Sequence, residues 1–463
     1  MPVKRAAKLA QLFFAVFLLS SVPRAIAQTA LDRYVAAPDA MYKYELASKV
    51  AGPGYTTYVL EMTSQQWKTT AEVDHPVWKH WVTLIKPDHV ASPIGFLSIT
   101  GGSNDDPIPK KPDPTLAAMA LSTNTITSEI RMVPNQPLRF TGDSKERVED
   151  GIIAYTWDKF LRTGDDSWPL RLPMTKSAVR ALDTVTQFCR SLDSGTCPER
   201  FVVAGGSKRG WTTWMTAATD HRVIANAPMV IDLLNLEPSF DHHFRAYGYW
   251  APAIHDYEAM NIMQWIGSTA YRKLLDIEDP YSYRDRLTLP KYIINAAGDE
   301  FFLPDSSQLY FQDLKGEKHL RYVPNTGHGL RDSDARESLQ AFYESIVNGA
   351  ARPEFSWTHS KDGTLQITTA TKPSEVKLWQ ETNPTARDFR ISSIGEKYED
   401  SVLTPHGGIY TAKVNKPKHG WTAYFIELTY PTSGKHPLKF TTCVYVTPDS
   451  LPSGPPPKGK PAN

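Results

Sequence analysis

The chain has 463 residues, of which 41% are hydrophobic and 22% charged, and its formal net charge is +1. This composition is typical of a globular protein with a sizeable core, and the length allows two or three domains. The balanced charge creates no overall field that would favour nucleic acid or an anionic membrane as a partner, so we expect neither.

The first 27 residues have the pattern of a secretory leader. Lys4, Arg5 and Lys8 precede an apolar run over 9–22, and Ala-Ile-Ala follows at 25–27. This order of basic, apolar and small residues predicts a signal peptide over 1–27, with the mature chain beginning at about Gln28 and the protein secreted or periplasmic. An uncleaved anchor is the alternative, but the run is shorter than the ~20 residues that a membrane span needs. We expect no span in the mature chain.

Residues 28–350 alternate between strand-like and helical patterns. Apolar spacing predicts a helix over 175–192, and a further helix fits 336–347. The apolar strand runs lie at 56–62, 78–85, 94–100, 201–204, 223–230, 292–296 and 320–323. Short apolar strands separated by helices predict an α/β domain, with a mainly parallel sheet and helices on both faces. The aromatic-rich stretch at about 233–290 is too long for a simple connection, and we interpret it as an inserted cap.

The strongest motif is Gly-Gly-Ser-Lys-Arg-Gly at 205–210, between an apolar strand and a helical stretch. This context predicts a nucleophile elbow of the α/β-hydrolase fold, with Ser207 as the nucleophile. The common pattern has glycine two residues after the serine, where this chain has Arg209, and Gly210 follows. The backbone N–H of Lys208 is then a candidate oxyanion donor. A plain glycine turn is the alternative, and a Walker loop is excluded because the Gly-Lys-Ser order is absent.

The fold requires an acid and then a histidine after later strands. Asp299 follows the strand at 292–296, and His328, between two glycines, follows the strand at 320–323. We expect His328 to act as general base and Asp299 to orient it. Glu300 and Asp305 lie in the same loop as Asp299, so the identity of the acid stays open.

Three further groups of residues are candidates around this triad. The Gly-Gly-Ser-Asn stretch at 101–104 follows an early strand, so Gly102 and Ser103 are expected to complete the oxyanion hole. Lys208 and Arg209 stand at a helix N-terminus, where cations oppose the helix dipole. They therefore pair with carboxylates, or Arg209 faces an anionic substrate. Trp250 of the cap either lines a substrate pocket or packs in the core.

The three cysteines are Cys189, Cys197 and Cys443. An exported protein can keep a disulfide, and Cys189 and Cys197 bracket a short loop, although sequence leaves the connectivity open. The spacing of Cys and His shows no metal motif, and the pair His242 and His243 is a weak candidate. We expect neither a metal nor a cofactor.

From residue 352 the pattern changes to strand-like runs separated by Gly, Pro, Asn and Asp. This predicts a small all-β domain over 351–450, resembling a sandwich. The residues at 451–463 are rich in Pro, Gly and Lys and are predicted to be a disordered tail.

Several motifs together resemble those of the PhoPQ-activated pathogenicity-related protein family. They are the stretch GGSKRGWTTW at 205–214, VPNQPL at 133–138, RLPMTK at 171–176 and GDEFFLPD at 298–305. The resemblance runs from about Tyr34 to the β-rich end. It implies an exported α/β-hydrolase-like protein associated with virulence or with resistance to host antimicrobial peptides, and it implies no defined substrate. The elbow is also similar to that of glucuronoyl esterases, which carry Gly-Cys-Ser-Arg-x-Gly.

Three functions remain open from the sequence. The triad favours a serine hydrolase that cleaves an ester or amide bond through an acyl-enzyme, and the first function is then an esterase acting on a carbohydrate or small ester. The second is a peptidase that degrades cationic peptides, for which Asp165, Asp166 and Asp241 are candidate acidic pocket residues. The third is a binding protein on a hydrolase scaffold. The sequence does not indicate the oligomeric state.

Overall fold

A computed structural model describes residues 28–192 and 195–457. The predicted signal peptide and the last six residues of the predicted tail lie outside the described residues. The α-helices described are α1 Ala30–Ala36, α2 Pro114–Thr123, α3 Asp150–Thr163, α4 Arg171–Ser191, α5 Lys208–Thr219, α6 Leu236–Tyr247, α7 His255–Ala259, α8 Thr269–Glu278, α9 Ala335–Val347 and α10 Ile391–Ile394. The strands described are β1 Lys43–Gly52, β2 Tyr55–Gln66, β3 Val77–Pro87, β4 Ile94–Ile99, β5 Thr127–Ile130, β6 Leu138–Arg139, β7 Glu146–Arg147, β8 Arg200–Gly206, β9 Val223–Met229, β10 Lys291–Ala296, β11 Lys318–Val323, β12 Phe355–His359, β13 Thr364–Thr369, β14 Glu375–Asn383, β15 Glu399–Val402, β16 Ile409–Lys413, β17 Trp421–Tyr430, β18 Leu438–Thr441 and β19 Tyr445–Thr447.

The central sheet is mainly parallel, as predicted. Its strand order is β1-β2-β3-β5-β4-β8-β9-β10-β11-β18-β17-β14-β15, and the strands from β5 to β11 in that order are parallel to their neighbours. Side chains of β8 alternate between two cores: Phe201 and Val203 join one, and Val202 and Ala204 join the other. Helices α4 and α5 contribute to the first core, and α2 and α9 contribute to the second. The α/β-hydrolase fold is therefore confirmed.

The C-terminal strands extend this sheet. Strand β18 pairs with β11 in antiparallel orientation, with Leu320 opposite Thr441, and β17, β14 and β15 continue the order. Strands β12, β13 and β16 form a second, three-stranded sheet. Its side chains Leu365 and Ile367 share a core with Ile426 of β17. The antiparallel strands of this region agree with the predicted fold class, although the short helix α10 lies among them, and the domain bounds 351–450 stay a prediction.

The segment between β9 and β10, where the sequence predicts an inserted cap, contains α6, α7, α8 and short 3-10 turns, and we refer to it as the cap. The cap packs against α3 through Tyr257, whose ring lies 5.3 Å from that of Trp157. A disulfide joins Cys189, in the last turn of α4, to Cys197 in the following loop, and Cys443 is buried and free. In the part of the chain that the structure describes, no helix combines the length and the apolar character needed to cross a membrane.

Candidate active site

Ser207 lies at the sharp turn between β8 and α5. Its φ of 55° and ψ of −127° are unusual for a residue with a side chain, which indicates a strained turn. A Cβ atom on Gly205 would lie 2.7 Å from the carbonyl oxygen of Arg209, and one on Gly210 would lie 2.8 Å from that of Gly205. Strand and helix therefore approach too closely for side chains at these two positions. This explains why a glycine stands at position 210, three residues after the serine.

His328 and Asp299 meet at the carboxyl edge of the sheet, in the loops after β11 and β10. The Nδ1 atom of His328 lies 2.9 and 3.0 Å from the two carboxylate oxygens of Asp299. Asp299 is 3% exposed, and its Oδ1 also accepts a hydrogen bond from the N–H of Phe301. A proton on Nδ1 that points at the carboxylate leaves Nε2 as the basic nitrogen, which is the arrangement that a general base needs.

The other two acids of this loop have different partners. The Glu300 carboxylate accepts a hydrogen bond of 2.8 Å from the backbone N–H of His328 and therefore holds the histidine loop. Asp305 contacts His242 and Arg387, at 3.0 and 2.6 Å. Of the three acids left open by the sequence, Asp299 is the one whose carboxylate contacts the imidazole.

Phe301 adjoins both the serine cavity and the histidine ring. Ser207, Phe301 and Phe302 line one small cavity, and the Phe301 ring lies 4.3 Å from the imidazole of His328, centroid to centroid. Among the described residues, neither the Ser207 hydroxyl nor Nε2 of His328 makes a hydrogen bond. The two side chains therefore adjoin one aromatic ring without a hydrogen bond between them. Such catalytic contacts often tighten only when substrate binds.

The loop at 101–104 lies beside the elbow, because β4 pairs with β8 and Ile99 stands opposite Gly205. The segment at 133–138, with two cis prolyl bonds, holds this loop in place. Gln136 donates a hydrogen bond to the Gly102 carbonyl at 3.1 Å and accepts one from the Asn104 N–H at 2.6 Å. Gly102 has a φ of 147°, which favours glycine, and the half-buried Ser103 follows it.

Arg209 and Lys208 are both paired with carboxylates. Arg209 forms two hydrogen bonds with Glu149, at 2.6 and 2.8 Å, and donates another to the Val133 carbonyl. The ammonium of Lys208 lies 2.9 Å from Glu149 and 3.1 Å from Asp150. Burial alone would raise the pKa of Glu149, but the hydrogen bonds and charges of Arg209 and Lys208 outweigh it and lower the pKa to about 2. The guanidinium of Arg209 is therefore paired with a carboxylate of the protein, which is the first alternative that the sequence left open for this residue.

Glu149 is a residue that sequence reasoning missed. It has a φ of 52° and a ψ of −125°, nearly the conformation of Ser207, although it is not glycine. It lies 60 positions from Arg209 in the chain, at the start of α3. No local motif marks it, although the pair of cations at a helix N-terminus does predict that some carboxylate lies nearby.

Trp250 packs within the cap. Its ring lies 5.0 Å from that of Phe244 and 6.0 Å from that of Phe240. The cavity at Ser207 is lined instead by Phe240, Ile254 and Tyr257 of the cap. Within residues 28–192 and 195–457, no cluster of His, Cys, Asp or Glu has three members positioned for a metal ion.

The family model for the PhoPQ-activated pathogenicity-related proteins matches residues 31–390. The chain belongs to this family. The chain is also similar to the autocrine proliferation repressor protein A of Dictyostelium discoideum. The two are 39% identical over 469 residues, which cover 95% of this chain and 94% of that protein.

Solved structures similar to this family member include two esterases. Acetyl xylan esterase 1 from Thermoanaerobacterium sp. JW/SL YS485 has 15% identity and a TM-score of 0.47, with 69% of this chain and 91% of that chain covered. The glucuronoyl esterase from Solibacter usitatus has 14% identity and a TM-score of 0.39, with 70% of this chain and 91% of that chain covered.

Proposed function

We propose that this protein is a serine hydrolase that cleaves an ester through an acyl-enzyme, with Ser207 as nucleophile, His328 as base and Asp299 as the residue that orients it. The observation that carries the proposal is the bidentate contact of Asp299 with Nδ1 of His328, at the sheet edge where β8 ends in the strained serine turn. A buried carboxylate on Nδ1 has a clear chemical use, because it fixes the tautomer and stabilises the imidazolium that forms.

In this mechanism the Ser207 hydroxyl attacks the acyl carbon while Nε2 of His328 takes its proton. The backbone N–H groups of Lys208 and of the Gly102–Ser103 stretch donate to the oxyanion. The imidazolium then gives its proton to the leaving oxygen, and water repeats the sequence to release the acid. Substrate binding is the step at which serine and histidine come into hydrogen-bond contact, past the ring of Phe301.

Peptide hydrolysis is a less favoured candidate because the acidic residues suggested for it are neutralised elsewhere. Asp165 pairs with Lys68, Asp166 with Arg33 and Asp241 with Arg245. None of the three lines the cavity at Ser207. A cationic peptide would therefore meet no free carboxylate from this set.

Export is part of the proposal. It rests on the leader pattern at 1–27 and on the disulfide between Cys189 and Cys197, a bond that persists in oxidising compartments. The link to virulence is carried over from the family description alone. Export is tested by cell fractionation, which compares the location of the full chain with that of a chain lacking residues 1–27.

A fluorophosphonate probe tests the catalytic serine. We expect the folded chain from residue 28 to be labelled, and we expect Ser207→Ala and His328→Ala to lose labelling. Ser360→Ala is the matched control, because Ser360 is exposed and lies in the turn between β12 and β13. Absence of labelling in the parent protein, or equal labelling of Ser207→Ala, would show a binding protein on a hydrolase scaffold.

A further inference from the structure

Two cavities of very different size and polarity lie on either side of Phe301. The smaller has a volume of about 30 Å³ and contains Ser207. The larger has a volume of about 820 Å³ and contains His328. Phe301 lines both cavities, which therefore adjoin each other at its ring. The chemistry of the proposed reaction assigns a different part of the substrate to each.

The small cavity accepts only a short apolar group. Its walls are mainly apolar and come from the packed interior, where Trp157 is 1% exposed, Trp211 3% and Ile254 5%. With a volume of about 30 Å³, against about 820 Å³ for the larger cavity, the small cavity has room for a short group only. Tightly packed walls do not yield cheaply to a longer chain. The space beside Ser207 therefore fits the methyl of an acetyl group.

The large cavity is polar, and four of its charged side chains form one group of ion pairs. Arg321 contacts Glu427 and lies 2.7 Å from Asp334, and Lys439 lies 2.7 Å from the same aspartate. These pairs leave little net charge to select an ionic ligand, but they present many donors and acceptors. Trp379 adds an aromatic ring, and its indole N–H has no partner within the described part of the chain. Hydroxyl groups together with an apolar ring face would match such a surface.

The position of His328 decides which part of the substrate lies where. In acyl transfer the histidine protonates the leaving oxygen, so the leaving alcohol lies on the side of the imidazole. His328 lines the large polar cavity, and Ser207 lines the small apolar one. The alcohol part is then large and polar, and the acyl part is small.

We propose that the substrate is a short-chain acyl ester, of acetyl size, of a neutral polyhydroxylated alcohol such as a sugar; this inference rests on the proposed serine-hydrolase function. The Ser207 oxygen forms a bond to the acyl carbon, and the ester C–O bond breaks. The serine proton passes by way of Nε2 of His328 to the sugar oxygen. Water then cleaves the acyl-serine bond, which releases acetate and restores the serine hydroxyl.

The acyl side is tested with 4-nitrophenyl acetate, butyrate and octanoate on the folded chain from residue 28. We expect kcat/KM for acetate to exceed that for octanoate by about a hundredfold. Leu233→Ala enlarges the small cavity at a half-buried position and should move the preference toward butyrate, and Ile254→Ala serves if the first variant does not fold. Octanoate hydrolysed as fast as acetate would overturn the inference while leaving the serine hydrolase intact.

The alcohol side is tested with a monoacetylated methyl glucoside against ethyl acetate. We expect the sugar ester to be the better substrate by about tenfold or more in kcat/KM. Trp379→Ala should lower kcat/KM for the sugar ester more than for ethyl acetate. Trp421→Ala, whose ring lies outside the large cavity, should leave that ratio unchanged.

Equal rates for the two acetates would overturn the assignment of the large cavity. Phosphonate labelling without hydrolysis of any ester would also overturn the inference. Loss of phosphonate labelling itself would instead refute the proposed function, so the two failures are distinguishable.

Discussion

Replacement of Glu149 by glutamine tests whether this carboxylate supports the elbow. Each of its oxygens accepts from two donors. Oε1 accepts from Arg209 Nη2 and Gln136 Nε2, and Oε2 accepts from Arg209 Nη1 and Lys208 Nζ. A glutamine amide would place its NH₂ group against two donors in either orientation, so no flip of the amide satisfies the site.

The expected loss of stability follows from these contacts. Hydrogen bonds to charged groups contribute about 1.5–3 kcal/mol each when buried. The Glu149 side chain is 35% exposed, so water and screening replace part of that contribution. We therefore expect Glu149→Gln to lower the free energy of unfolding by about 2 kcal/mol at pH 7. Labelling by the phosphonate should slow by about tenfold, because Arg209 and Gln136 position the loop at 101–104.

The pH dependence gives a sharper check. The pKa of Glu149 in the folded protein is about 2, below its ordinary value of 4.5. Its contribution to stability is therefore fully present above pH 4.5 and is lost as the pH falls toward 2. The difference between parent and variant should shrink to less than half between pH 7 and pH 3, measured by urea unfolding.

Glu199→Gln is the matched control for this experiment. Glu199 pairs with Arg190 at the surface, where the two side chains are 63% and 61% exposed, and this pair contributes about 0–1 kcal/mol. A difference below about 0.5 kcal/mol for the Glu149 variant at pH 7, or an equal difference at both pH values, would refute the reasoning.

Three other predictions concern the triad, the elbow and the free thiol. Asp299→Asn should lower kcat by about 10³–10⁴, whereas Glu300→Gln, which alters only a contact to backbone, should lower it by about tenfold or less; equal losses in an acetate-ester assay would contradict this. Gly210→Ala should destabilise the fold by about 3 kcal/mol in urea unfolding because its Cβ would lie 2.8 Å from backbone oxygens, and Gly206→Ala, whose Cβ would lie 3.8 Å from its nearest neighbour, should change stability by less than about 1 kcal/mol. Burial raises the pKa of Cys443 to about 12, so a thiol reagent should modify it only after unfolding, and modification of the native protein at pH 8 would be the contrary result.

The elbow could be predicted because its requirements are local. A strand, two glycines, a serine and a helical stretch stand next to one another in the sequence, and the geometry of one turn decides their spacing. Asp299 and His328 could also be proposed from the sequence, since each follows a short apolar strand and the order of the loops is fixed by the fold. The sequence could not choose among the three acids, because the choice depends on which carboxylate the loop turns toward the imidazole.

The partners of Arg209 and the surroundings of Trp250 could not be predicted. Glu149 reaches Arg209 across 60 positions from a backbone conformation that no glycine marks. Trp250 stands in an aromatic segment where every ring is a candidate for lining the substrate pocket. Its ring packs against Phe244 instead, a contact that the sequence does not indicate. Phe301 follows Asp299 by two residues in the sequence, but its position beside both cavities depends on how two loops meet.

The pairing of β18 with β11 has a consequence for where this protein can be shortened. The family match ends at residue 390, whereas β17 and β18, through which β14 reaches the central sheet, lie beyond it. A chain ended at 390 would leave β14 without its neighbour and would expose β11 as an open strand, a site at which other chains can add. The last strands therefore cover the edge of the central sheet, and Glu427 of β17 and Lys439 of β18 line the same cavity as His328.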